Sequence, residues 1–375
     1  MIKYGIVSSF DTLCGNATYS EEIAKGLSKK FIVVKIDIPI SLQKRYSEEV
    51  VSDIINQIHE CDFINIQMEL GLYGPDPFVS LKVLKKIISS SKAFNITMHR
   101  INPMPGSILR LLYNQIKNFG FSSLYHFFST KYIDYKLSSI YKELIVYIIN
   151  KKGTFIVHTN REYKLIKRIN TNSKVRVHPI TWPDNNIPEI DLNKYFNTKN
   201  TIVGLFGFIS EYKNYLVVIN GLKFEPVNLF IAGGTHPQSP HYGKVSGAST
   251  SYIRFVSNHL ADKKWRGRFH LENSPSDYAL IQFIKSVDIV CVPYAETGQS
   301  GSGIASLAIQ FGKRVIFSDT HCTSELKMFL KGDLTLSDVD SPVGFASALK
   351  SVLLKNTTVS FDNYDFDSML EIYKP

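Results

Sequence analysis

The chain has 375 residues, of which 44% are hydrophobic and 20% charged, and its formal net charge at neutral pH is +10. That length predicts two or three domains with ample core, and the composition excludes a disordered chain. The 4 cysteines (Cys14, Cys61, Cys291, Cys322) are widely spaced without a CxxC pair, which excludes a disulfide framework or a cysteine zinc site, and no apolar run approaches the roughly 20 residues that cross a bilayer.

The opening, MIKYGIVSSF, is strand-like and lacks the charged-then-apolar pattern of a secretion signal, so the expected location is the cytoplasm, with a peripheral place on the inner face of the membrane also open. The charge is uneven: residues 1–185 hold 25 Lys+Arg against 15 Asp+Glu, and the remainder holds 18 of each. A basic first half predicts an acidic partner (membrane surface, phosphorylated acceptor or nucleic acid) or, more plainly, a solvated lysine-rich surface.

Strand and helix patterns alternate from end to end, the mark of a parallel sheet covered by helices. In chain order, strands are predicted at Lys3–Ser8, Phe31–Ile36, Phe63–Gln67, Phe94–Met98, Thr154–His158 and Val175–His178, with helices at Thr18–Lys29, Glu48–Glu60, Pro77–Ser90 and Glu162–Ile169. Residues 184–200, rich in Pro, Asn and Asp, fit neither period and read as a linker between a first domain, 1–183, and a second, 201–359. In the second, strands are predicted at Thr201–Phe206, Val227–Ala232, Phe269–Leu271, Ile289–Val292 and Arg314–Phe317, and helices at Tyr215–Leu222, Ser251–Leu260, Asp277–Ser286 and Ile304–Phe311. A short final helix over Asp362–Tyr373 is expected, with 360–375 free to pack back on the first domain.

One segment breaks the alternation. Residues 101–152 interleave lysines and arginines with many Phe and Tyr, which suits either a helix pair in a lipid interface or the core of an inserted helical hairpin.

The most informative stretch is Asp288–Asp319: a buried strand, a Gly/Ser loop, an apolar helix, then Gly312 and another strand. A small-residue loop that feeds a helix N-terminus is an anion cradle, because unpaired N–H groups and the helix dipole both favour negative charge there. Gly301, Ser302 and Gly303 leave the backbone open to a phosphate. His99, at the carboxyl end of an apolar strand, occupies the edge where open α/β sheets bind ligands.

Several segments, in register over nearly the whole chain, resemble the GT-B glycosyltransferases, specifically the retaining family-4 group of bacterial surface polysaccharide synthesis. They are CGNATYSEEIAKGL (14–27), INIQMELGLYG (64–74), ITMHR (96–100), VGLFGFISEYKN (203–214), FIAGG (230–234) and the 288–319 stretch. The resemblance implies an α/β fold of two Rossmann-like parallel-sheet domains facing across a cleft. It implies a nucleotide-diphosphate sugar as donor and a glycan or lipid-linked acceptor in O-antigen, capsule or lipopolysaccharide synthesis. No cofactor or metal and no nucleic acid would be involved, and the first domain would meet an anionic membrane surface.

By the same resemblance the catalytic residues are His99, Lys213 and Glu296. The donor-binding set is Gly15, Asn16, Phe208, Lys213, Gly233, Gln299, Ser300, Gly301, Ser302, Gly303 and Ile304. The acceptor-binding set is Gln67, Glu69 and Arg100. Two departures stand out: the family's paired glutamates align with Gln299 and Leu307, and Phe208 replaces an expected arginine. The identities of nucleotide and sugar therefore do not carry over. Two rivals remain, a sugar-nucleotide epimerase of the same fold and a non-catalytic basic module binding membrane or nucleic acid.

Overall fold

The computed structural model describes residues 1–10, 15–101, 124–184, 186–234, 251–296, 301–326, 330–331, 335–354, 360–361 and 365–375. These form two compact units, Met1–His178 with Leu370–Pro375, and Pro179–Met369.

The first unit alternates strand and helix: β1 (Lys3–Ser8), α1 (Gly15–Leu27), β2 (Ile32–Asp37), α2 (Ile40–Lys44), α3 (Glu48–His59), β3 (Phe63–Met68), α4 (Pro77–Ser90), β4 (Phe94–Met98), α5 (Leu124–Asn150), β5 (Thr154–Val157), α6 (Asn160–Ile169) and β6 (Lys174–Val177). Its six strands are all parallel in the order β2-β1-β3-β4-β5-β6. Local chemistry sets the helix starts. Asp76 accepts from the Phe78 and Val79 amides ahead of Pro77, whose missing N–H is harmless in the first turn. Thr159 caps α6 in the same way, accepting from Glu162 N, and the helix starts at Asn160, two residues before the predicted start.

One face of this sheet is ordinary core, with Ile64, Ile66, Met68, Ile96 and Met98 packed under α3 and α4. The opposite face of β3 and β4 is polar: Asn65, Gln67, Asn95 and Thr97 alternate with those residues and are all 0% exposed. A buried amide is tolerated only when its hydrogen bonds are made, since leaving one unmade costs about 1–3 kcal/mol. The covering partner is the C-terminal segment, whose Tyr373 is also fully buried there.

The second unit runs β7 (Thr201–Phe206), α7 (Tyr215–Leu222), β8 (Val227–Gly233), α8 (Ser251–Leu260), β9 (Phe269–Asn273), α9 (Asp277–Ser286), β10 (Ile289–Val292), α10 (Gly303–Phe311), β11 (Val315–Ser318), α11 (His321–Ser324), β12 (Leu330–Lys331), β13 (Thr335–Ser337), α12 (Pro342–Leu354), β14 (Ser360–Phe361) and α13 (Phe366–Glu371). Six parallel strands lie in the order β13-β11-β10-β7-β8-β9, the dinucleotide-fold order read from its far edge. β12 and β14 form a separate antiparallel pair.

Residues 184–200, read as a linker, are counted in the second unit, where Ile187 and Leu192 are buried. The final helix is shorter than predicted, Phe366–Glu371, because Tyr373 and its neighbours leave the helical path to bond the first sheet. Of the 101–152 insertion, residues 102–123 lie outside the described residues, and Leu124–Asn150 is one long helix. No helix among the described residues is long and apolar enough to cross a membrane.

Candidate active-site residues of the two units

In an open α/β sheet, ligands bind beyond the carboxyl ends of the strands where the strand order reverses. In the second unit that point lies between β7 and β10, and the residues leaving those two strands converge there. Gly207 follows β7 with φ of +94°, a conformation open to glycine. Its N–H donates to Ala232 O at 2.9 Å, and its carbonyl accepts from the Tyr215 hydroxyl at 2.9 Å. A side chain at Gly207 would strike the Lys213 ammonium and Ile304 of α10, and one at Gly233 would strike the Gly207 carbonyl. Lys213, Gly233 and Ile304, expected in the donor site from distant stretches of sequence, therefore meet at Gly207, which was not among the expected residues.

Lys213 ends a single helical turn, Glu211–Lys213, closed by Asn214 in the left-handed region at φ of +53°. The side chain is 4% exposed. Its ammonium lies 5.1 Å from the Tyr294 ring centroid and 6.0 Å from that of Tyr212. Among the described residues no carboxylate pairs with it. Aromatic faces offset only part of the loss of water, so burial pushes the pKa down to about 7. The Tyr212 carbonyl accepts from Ala295 N at 2.8 Å, which ties this turn to the loop after β10.

That loop leads into α10. Ser302 caps the helix, its hydroxyl accepting from Ala305 N at 3.2 Å, and the Ile304 side chain of the first turn meets the same point over Gly207 as the Lys213 ammonium. Gly303 is seated on the Trp182 ring at 3.4 Å from where a Cβ would be. Gln310, two turns on, grips the Trp182 backbone from both sides, accepting from its N–H at 2.9 Å and donating to its carbonyl. Trp182 was not among the expected site residues. Its signal, an indole inside a Pro/Asn-rich stretch, is weak without the fold. Gly301 and Phe208 are partly buried, Glu296 is exposed, and Gln299 and Ser300 lie outside the described residues.

In the first unit the strand order reverses between β1 and β3. Asn16, in the first turn of α1, donates from Nδ2 to Glu69 Oε2, just past β3, at 2.6 Å. Gly15 faces open space. Glu69 and Arg100 are exposed, and Arg100 lies two residues beyond the end of β4. Gln67 departs from its expected acceptor role: it is fully buried, and its amide is taken up by Asn65, Thr97 and His99.

His99 is partly exposed, with Nε2 2.7 Å from Gln67 Oε1. His158, at the end of β5, is 3% exposed and lies beside it, ring centroids 5.3 Å apart, with Tyr19 edge-on to both. Burial pushes His99 down to about 3 and His158 down to about 4, so both rings are neutral near pH 7. His158 Nδ1 donates to the His178 carbonyl at 3.0 Å, and its buried Nε2 has no partner among the described residues. His158 was expected only as a strand end, and nothing in its own sequence marks it. Adjacent parallel strands place it beside His99.

No group of three or more His, Cys, Asp or Glu suited to a metal occurs among the described residues.

No protein-family model matches the sequence, and no curated protein matches it. Solved structures do. Anabaena HepE, in complex with UDP and glucose, aligns over 94% of this chain and 90% of its own, at 13% identity and a TM-score of 0.60. Sucrose-phosphate synthase from Thermosynechococcus elongatus aligns over 100% and 95%, at 12% identity and 0.63. A UDP-forming trehalose-phosphate synthase from Burkholderia xenovorans, in complex with glucose-6-phosphate, aligns over 93% and 92%, at 9% identity and 0.61. At these identities the likeness is one of fold: the chain is an α/β protein of GT-B architecture, built of two Rossmann-like units.

Proposed function

We propose that the protein is a glycosyltransferase that moves a sugar, with retention, from a nucleotide-diphosphate donor to a glycan or lipid-linked acceptor of bacterial cell-surface polysaccharide. One observation carries the reading: a buried lysine that has no counter-ion among the described residues, set beside Gly207 and Ile304 of α10 at the strand-order reversal of the second sheet. An isolated buried cation is unfavourable unless an anion completes it, and the leaving diphosphate is such an anion. As the sugar–phosphate bond breaks, negative charge grows on the diphosphate, so Lys213 and the α10 amides stabilise the transition state more than the ground state. HepE and the trehalose-phosphate synthase, known with UDP or named as UDP-forming, favour UDP as the nucleotide.

The first unit supplies neutral His99 as a hydrogen-bond acceptor for a sugar hydroxyl, with Asn16, Glu69 and Arg100 along the same strand edge. Gln67 acts through His99 and does not touch the substrate. Glu296 serves the donor sugar, and Gly233 braces Gly207.

A thermal-shift panel of UDP-, GDP-, ADP- and CMP-sugars tests this, because a ligand bound only by the folded state raises the melting temperature. UDP-sugars are expected to shift it and to transfer label to a glycan extract; a panel without any shift removes the proposal. Turnover of the sugar nucleotide without acceptor would point to an epimerase instead.

For the acceptor side we propose contact with an anionic membrane through α4 and α5. Phe78 and Tyr135 are exposed there at 57% and 51%, beside the exposed Lys82, Lys136 and Lys142, and the Lys136 ammonium lies 5.8 Å from the Phe78 ring centroid. Flotation with anionic liposomes at low salt is the expected behaviour, and failure to float retires the membrane claim.

A further inference from the structure

We propose that the backbone carbonyl of Tyr373 is the fixed end of an amide relay that selects the tautomer of His99, which makes the C-terminal segment a positioning element for that histidine. A carbonyl oxygen can only accept, so its partner's orientation is decided. Asn95 Nδ2 donates to it at 2.9 Å, and the Tyr4 hydroxyl donates at 2.6 Å. With its NH2 so committed, Asn95 turns Oδ1 to Asn65, whose Nδ2 donates at 2.6 Å. Asn65 in turn presents Oδ1 to Gln67 Nε2 at 2.6 Å. Gln67 then has only Oε1 for His99, at 2.7 Å, so the imidazole donates from Nε2–H and keeps its Nδ1 lone pair as an acceptor.

A second set of contacts accommodates the same directions. The Thr97 hydroxyl donates to the Tyr373 hydroxyl at 3.3 Å, which leaves its lone pairs for Asn65 Nδ2 at 3.1 Å and Gln67 Nε2 at 3.4 Å. Flipping any one amide would set donor against donor or acceptor against acceptor among side chains that are all 0% exposed. The segment that carries the carbonyl is held independently, because Arg176 donates to the carbonyls of Ile372 at 2.8 Å and Lys374 at 2.6 Å. Buried side chains that are all hydrogen-bonded need not point one way. Here one backbone atom makes them do so.

The structural part stands alone. Only its effect on turnover rests on the proposed sugar transfer. Nitrogen-15 NMR of the histidine side chains in the full chain, with His99 assigned by loss of its signals in His99→Gln, reads the tautomer directly. The expected wild-type result is Nε2–H from about pH 6 to 8; Nδ1–H or an imidazolium there overturns the relay. Asn95→Leu, which removes the link next to the carbonyl, should mix the His99 tautomers. It should also lower kcat about 10-fold or more with the donor KM unchanged, a wrong tautomer being a damaging error. Tyr373→Phe keeps the carbonyl and should leave the His99 tautomer as in wild type; loss of the Nε2–H form in this variant overturns the assignment to the carbonyl, and so does a wild-type spectrum from Asn95→Leu. If Asn95→Leu does not fold, the wild-type and Tyr373→Phe spectra still decide. Absence of transfer with every sugar nucleotide would count against the proposed activity while leaving the tautomer result to stand.

Discussion

The two sheets are alike in strand number and direction, yet their carboxyl edges treat buried polar groups in opposite ways. In the first unit each amide on the polar face of β3 and β4 ends in a neighbour, and the sequence of partners closes on His99. In the second unit Lys213 is also buried, at 4% exposed, with its ammonium near the Tyr212 and Tyr294 rings, Gly207 and Ile304 and with no carboxylate partner among the described residues. A closed network holds geometry. An open one leaves room for whatever completes it.

The largest test of this contrast is Lys213→Met, which keeps the shape and removes the charge. Transfer should fall about 10²–10³-fold, on the scale of one lost transition-state donor. UDP should no longer raise the melting temperature, while the unliganded protein should melt higher because an uncompensated charge is gone. A lower melting point would mean that the ammonium already has a partner. On the closed side, His99→Ala should lower transfer about 10²-fold with the UDP-induced shift intact. Losing that shift as well would erase the division of labour.

Proton linkage sharpens the contrast further. Lys213 is lowered from 10.5 to about 7, so the unfolded chain binds more protons between those values, and its effect is that stability rises with pH there. An anion reverses the shift, so calorimetry near pH 9 in buffers of different ionisation heat should show UDP binding taking up about one proton, absent near pH 6 and in Lys213→Met. His99 and His158 fall from 6.5 to about 3 and about 4. Their contribution is fully present above about pH 6.5 and is lost as pH falls through the folded values, so His158→Gln should flatten the decline of melting temperature below pH 6. The smallest effect belongs to the exposed Asn16–Glu69 bond: Asn16→Ala should cost about 1 kcal/mol or less of binding, with a near-zero coupling to Glu69→Gln in a double-mutant cycle.

Much of the fold was legible because parallel strands buried on both faces read as apolar runs. β1, β4, β7 and β10 begin and end where their apolar patterns do. The start of α10 was legible for the same reason, as small residues between the apolar runs of β10 and β11. α12 was missed: its buried face, Phe345, Ala348, Leu349 and Val352, gains depth by close approach to α7, where a side chain on Gly221 would strike the Pro342 carbonyl. That depends on a tertiary contact no local window holds. The polar face of β3 and β4 misled in a different way. Alternation of Gln67 with apolar neighbours reads as one face toward solvent, but the covering element, Leu370–Pro375, lies some three hundred residues downstream. Gln67 was placed at a ligand for that reason, and His158 was overlooked because its meaning comes from the strand beside it.

The tight seat of the Lys213 nitrogen over Gly207 has a corollary for variation at this position. The space was shaped around a single tetrahedral headgroup at the end of a four-carbon stem, and the glycine beneath it admits no Cβ without striking that nitrogen. A guanidinium is broader and flat, so arginine would keep the positive sign and lose the fit. Among homologues or engineered libraries, length and headgroup shape should therefore be as restricted at 213 as charge is.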